Sequence, residues 1–117
     1  MGYDISLYKV PTKLKDQHIN DDELFDIAYD KNNENDLLVY TNFSMGNSKA
    51  VDFAEVFDIF LTNNDFFKIY TLSDYYAAKN RLQTMNLDEY LLERINKFLN
   101  VIEHELNKNE IIFFCCG

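Results

Sequence analysis

The sequence has little glycine, little proline and no cysteine outside one adjacent pair. With 3 Gly and 1 Pro against 10 Phe and 8 Tyr, it lacks the composition of a fibrous or disordered chain and holds the aromatic material of an ordered core. Cys115 and Cys116 stand side by side with no third cysteine, and adjacent residues cannot close an ordinary disulfide without backbone strain. A disulfide-stapled fold is thereby excluded, and two free thiols suit a reducing cytosol. The pair offers too few ligands for zinc. Phe114, fourth from the end, does not fit a prenylation signal.

Basic residues are also scarce: 11 Lys and Arg face 20 Asp and Glu, a net charge of −9. A basic surface gripping a phosphate backbone is excluded, so direct nucleic-acid binding is not expected. No apolar run approaches the ~20 residues of a membrane-spanning helix. The opening Met-Gly-Tyr-Asp-Ile-Ser-Leu-Tyr has no basic stretch leading into a long apolar one, as a secretory signal would. The expectation is a cytoplasmic protein with no membrane partner.

The 117 residues fit one domain, 1–117, because two halves would each be marginal for a core. Tyr3 to Val10 alternates Tyr3, Ile5 and Leu7 on one face and stops at Pro11, which lacks an N–H, so it reads as a strand. Asn20-Asp-Asp-Glu23 has capping-box spacing, and Leu24, Ile27 and Ala28 repeat at helical spacing as far as about Asp30. Leu37 to Phe43 is a second strand. Ser48 caps a helix reaching about Asn63, whose apolar residues Val51, Phe53, Ala54, Val56, Phe57, Phe60 and Leu61 spread beyond one stripe. Phe66 to Leu72 is a short strand, and Ser73-Asp74 opens a helix through about Met85.

The clearest helix starts at Asn86, with Asn86 and Glu89 spaced as a capping box. Leu91, Leu92, Ile95, Phe98, Leu99, Ile102 and Leu106 share one face, and Glu93 and Lys97 stand in the favourable i, i+4 order opposite. Glu110 to Cys116 is an apolar run without alternation, the mark of a strand buried on both faces. The expected fold is α+β, a small sheet of three to four strands packed against about four helices, with a long amphipathic C-terminal helix followed by a final buried strand. That final strand is expected to pair with the first.

Catalytic chemistry finds no constellation. His104 belongs to the polar side of its helix, and His18 lies among acids without metal-ligand spacing. None of Ser44, Ser48, Ser73, Cys115 or Cys116 sits in a nucleophile elbow. Asp30-x-Asn32-x-Glu34-x-Asp36 places oxygen ligands at alternate positions, as a hard cation requires. However, Asn35 replaces the turn glycine of a calcium loop and Thr41 its closing glutamate. The stretch Phe43-Ser-Met-Gly-Asn-Ser-Lys49 joins a strand to a helix N-terminus and could hold an anion, but it lacks P-loop glycine spacing and suffices as a turn and cap. No metal, cofactor or catalytic residue is assigned.

Acidity is the distinctive feature. From Asp16 to Asp36 there are eight acids and one base, and 50–65 adds Asp52, Glu55, Asp58 and Asp65 with no base. Lys9, Lys13 and Lys15 cluster elsewhere. Packed like charges repel, and a cationic partner relieves that repulsion while accelerating encounter; solubility alone is the ordinary alternative. The expectation is a non-catalytic acidic protein-binding module, an inhibitor or immunity-type protein that occupies the basic, nucleic-acid-binding surface of a partner such as a nuclease. Its expected contacts are Asp21, Asp22, Asp26, Asp30, Glu34, Asp36, Asp52 and Glu55. Abundant Asn, Lys and Ile with only two Arg, Arg81 and Arg94, suggest an AT-rich bacterial or phage genome. The alternatives are a small-ligand or catalytic domain using the Gly46 loop, and a homo-oligomeric subunit whose aromatic excess leaves an apolar patch.

Overall fold

A computed structural model describes residues 3–11, 19–29, 37–45, 47–60 and 66–116. Four strands, β1 (Tyr3–Lys9), β2 (Leu38–Met45), β3 (Phe66–Tyr70) and β4 (Ile112–Cys116), form one sheet in the order β2-β1-β4-β3. Every neighbouring pair is antiparallel. Four helices among the described residues complete the α+β fold: α1 (Asp21–Tyr29), α2 (Asn47–Phe57), α3 (Leu72–Gln83) and α4 (Glu89–Asn107).

The first and last strands pair as expected, with Ile5 opposite Cys116, Leu7 opposite Phe114 and Lys9 opposite Ile112. They form the centre of the sheet, and successive side chains of β4 enter different layers because a strand alternates its faces. Ile112, Phe114 and Cys116 join Ile5, Leu7 and Tyr70 beneath the three helices α2, α3 and α4. Phe113 and Cys115 face α1, joining Leu24, Ile27, Ala28, Val10 and Leu37. Both faces being covered, all five residues of β4 are buried, which is why its apolar run lacks alternation.

The larger core is aromatic. Phe53, Phe57, Tyr70, Phe98 and Phe114 meet at ring-centroid distances from 4.6 to 6.4 Å, mostly tilted or edge-to-face as the ring quadrupoles favour. α4 lays Leu91, Ile95, Phe98, Leu99 and Ile102 into this core, and Glu93 accepts the expected ion pair from Lys97 at 3.6 Å.

Helix boundaries depart from the sequence reading where a stronger cap competes. α2 ends at Phe57 instead of near Asn63. Asp58 takes a left-handed φ of 56° and the Ile59 N–H donates to the Ala54 carbonyl at 3.1 Å, the reverse turn that closes a helix. Phe60 consequently lies outside α2 and is exposed, as is Val51 within it; Leu61 is outside the described residues. The last carbonyls of α2 are further satisfied by Arg81, whose Nε donates to Val56 at 2.8 Å, and by Tyr70, whose hydroxyl donates to Phe57 at 2.8 Å.

α3 begins one residue before Ser73, with Thr71 and Asp74 as a reciprocal capping box. α4 is capped by Asp88, not Asn86: the Asp88 Oδ1 accepts from the Leu91 N–H at 2.8 Å. It closes at Asn109, φ 62°, where the Asn109 N–H donates to Leu106 and the Glu110 N–H to Glu105. Asparagine tolerates that conformation better than most residues.

Candidate functional site

α1 carries acidic side chains and no base. Asn20 opens it, its Oδ1 accepting from the Glu23 N–H at 2.9 Å. Leu24, Ile27 and Ala28 pin it to Phe113 and Cys115 of the sheet, and the sequence Asp-Asp-Glu-Leu-Phe-Asp-Ile-Ala-Tyr contains no base. Asp21, Asp22 and Glu23 lie in the first turn, where the positive end of the helix dipole favours them. Asp26 is beyond that turn and stands i, i+4 from Asp22, a like-charge spacing that destabilises an isolated helix.

Asp21, Asp22 and Asp26 are exposed, and none of them is in an ion pair among the described residues. The same helix exposes two aromatic rings, Phe25 at 46% and Tyr29 at 50%, packed against each other in a tilted pair with centroids 4.7 Å apart. At ~100° per residue, Asp22, Asp26, Phe25 and Tyr29 fall within about 100° of the helix circumference. The rings lean toward the sheet. Phe25 meets Phe67 edge-on at 6.3 Å, and the Tyr29 hydroxyl reaches the Cys115 Sγ at 3.8 Å. An aromatic strip beside carboxylates is suited to a protein surface that is positively charged around an apolar recess.

The other expected contacts are distributed differently. Asp52, half-buried, and Glu55, exposed, lie on α2, which covers the opposite face of the sheet from α1. They too make no ion pair among the described residues. Asp30, Glu34 and Asp36 lie outside the described residues, as do His18, Gly46 and the alternating oxygen ligands from Asp30. The acids of α1 and α2 are therefore separated by the sheet and do not make one cluster.

The remaining candidates take ordinary positions. Lys49, considered for an anion site, places its Nζ over the Tyr90 ring at 4.2 Å. His104 is exposed in the last turn of α4. Cys115 and Cys116 are buried and form no disulfide, and burial, with Cys115 beside it, pushes the Cys116 thiol up to about 12, against the thiolate a nucleophile needs. Tyr75, buried between α3 and α4, donates its hydroxyl to the Glu103 carboxylate; burial first and that carboxylate second push it up to about 12. No group of three or more metal-ligating side chains converges among the described residues, and no helix of the described residues is long and apolar enough to cross a membrane.

The sequence reading missed Phe25 and Tyr29. Their signal is aromatic spacing of i, i+4 displaced from the Leu24–Ile27–Ala28 stripe, which a reading of the buried face alone passes over. Comparison with protein-family models, curated proteins and solved structures gives no match for this chain.

Proposed function

We propose that this protein is a non-catalytic acidic binding module that seats the outer side of α1 on a positively charged surface of a partner protein. The observation that carries the reading is the combination on α1 of exposed Asp22 and Asp26, without ion pairs among the described residues, and the exposed Phe25–Tyr29 pair. Carboxylates accelerate encounter with a cationic surface, while buried aromatic rings supply the short-range affinity that charge alone does not. Asp21 borders this strip, and Asp52 and Glu55 contribute to the overall negative field rather than to the same contact. Asp30, Glu34 and Asp36 follow α1 directly in the chain and extend its acidity.

A partner that normally grips nucleic acid matches this chemistry, because its surface is cationic and includes flat apolar platforms for bases. The protein is then an inhibitor or immunity-type protein of phage or bacterial origin, working in the cytoplasm. The test is affinity capture from a bacterial lysate with the wild-type protein and with Asp22→Asn/Asp26→Asn and Phe25→Ala/Tyr29→Ala variants. Each captured protein is then purified for association kinetics and for competition by duplex DNA. A partner lost with both variants, whose association slows with rising salt and which duplex DNA displaces, supports the reading. Capture indifferent to all four substitutions overturns it.

A further inference from the structure

The sheet separates two layers that hold their helices unequally. β4 puts Phe114 and Cys116 into the aromatic core shared by α2, α3 and α4, and Phe113 and Cys115 beneath α1. Of its nine residues α1 buries Leu24, Ile27 and Ala28, whereas α4 alone buries Leu91, Ile95, Phe98, Leu99 and Ile102. The local energetics of α1 are also poor. Nine residues are too few for a helix to be stable unaided, Asp22 and Asp26 repel at i, i+4, and no base in the last turn of the helix offsets the negative end of its dipole. None of the buried side chains of α1 belongs to the larger core, so departure of α1 leaves that core intact.

Proteins open in cooperative units whose free energies run from near zero up to that of global unfolding. We infer that α1 is a cover that leaves the sheet as one such unit while the four strands and α2, α3 and α4 remain folded. The adjacent cysteines then belong to different opening events. In the closed form Cys115 is 8% exposed, with the Tyr29 hydroxyl 3.8 Å from its Sγ, and Cys116 is fully buried. Opening of α1 bares Cys115 and Phe113 and leaves Cys116 and Phe114 in the aromatic core, where only global unfolding reaches them. Exposure of an apolar sheet face and its thiol is thereby set by the seating of one short helix.

This inference does not rest on the docking reading, since its test needs no partner. Two single-thiol proteins, Cys116→Val and Cys115→Val, are labelled with the neutral disulfide dithiodipyridine, which exchanges with a thiolate and releases one thiopyridone for each cysteine reached. With opening fast relative to labelling, the rate follows the population of the open form. Cys115 should label at least about tenfold faster than Cys116, with a shallower urea dependence because its opening exposes less surface. Two further substitutions, each added to both proteins, separate the events. Ile95→Val, in the larger core, should speed labelling of Cys116 by about 2- to 12-fold and leave Cys115 unchanged. Ile27→Val, on α1, destabilises the closed form against both events and should speed both thiols by a similar factor. Circular dichroism verifies that each variant is folded. Equal rates and urea slopes for the two thiols, or acceleration of Cys115 by Ile95→Val to the same extent as Cys116, overturns the inference. Cys115 labelling indifferent to Ile27→Val means direct access without opening and overturns it equally.

Discussion

Phe113 and Phe114 are neighbours in the chain and enter different cores. Phe113 stacks on Tyr8 at 5.7 Å in the layer closed by α1, whereas Phe114 meets Tyr70 at 5.1 Å and Phe57 at 5.3 Å in the layer closed by the other three helices. One strand thus couples the helix that bears the proposed docking strip to the body of the fold. The strip has a rigid backing only as long as β4 fills both layers.

Truncating the two rings should separate the layers. Phe114→Ala removes the ring that four other core aromatics pack against and should lower global stability by about 3–5 kcal/mol, seen as an early urea midpoint. Phe113→Ala is expected to free α1 preferentially, since that nine-residue helix packs its small apolar stripe on Phe113 and short helices are marginal alone. Hydrogen exchange should then speed at Leu24 to Tyr29 more than at Ile95 to Ile102. Uniform acceleration across both helices would contradict the two-layer account.

Alkaline pH should weaken the fold from a defined onset. The Cys116 thiol is raised from 9.0 to about 12 and the Tyr75 hydroxyl from 10.0 to about 12, each chiefly by burial; burial pushes Tyr70 up as well. Below pH 9 these groups are protonated in both states and contribute no pH dependence. Above it the unfolded chain loses protons that the folded chain keeps, so stability falls, by about 1.4 kcal/mol per pH unit for each group past its unfolded value. Urea midpoints should be flat with respect to these groups up to about pH 9 and decline beyond it. Cys116→Val should delay the onset toward pH 10.

Much of this architecture was legible because burial leaves a pattern. The unalternating Ile112-to-Cys116 run announced a strand covered on both faces, and the Leu91-to-Leu106 stripe announced α4. Caps were harder to read, since Asn86 and Asp88 both precede the helix and local spacing favours the wrong one. Only the backbone decides that Asp88 is extended with its carboxylate on the Leu91 N–H. The end of α2 was illegible because left-handed Asp58 is no glycine. The candidate surface was legible in its charge but not in its arrangement, because nothing local to Asp26 or Asp52 says that their helices cover opposite sides of the sheet.

The capping assignment carries its own test. Asp88→Ala should destabilise the protein by roughly 0.5–2 kcal/mol, the usual loss for an N-cap acceptor. Asn86→Ala, at an exposed position before the cap, should change stability by less than about 0.5 kcal/mol. Thermal melts of the two single variants discriminate them, and equal losses would move the cap back toward Asn86.

The acids of α1 divide into those that serve the helix and those that do not. Asp21 lies at its first position and complements the dipole, so Asp21→Asn should cost about 0.3–1 kcal/mol. Asp26, past the first turn and four residues from Asp22, has only repulsion to lose within the helix, so Asp26→Asn should be neutral or stabilising by about 0.2–0.5 kcal/mol. The same change should slow association with a cationic partner, with the largest effect at low salt, where screening is weakest. Removal that steadies the free protein while slowing its capture is the outcome expected of a carboxylate that serves the proposed partner contact. Should Asp26→Asn instead destabilise the fold by more than about 1 kcal/mol in urea titrations, the carboxylate has a structural role and the docking strip loses its strongest member.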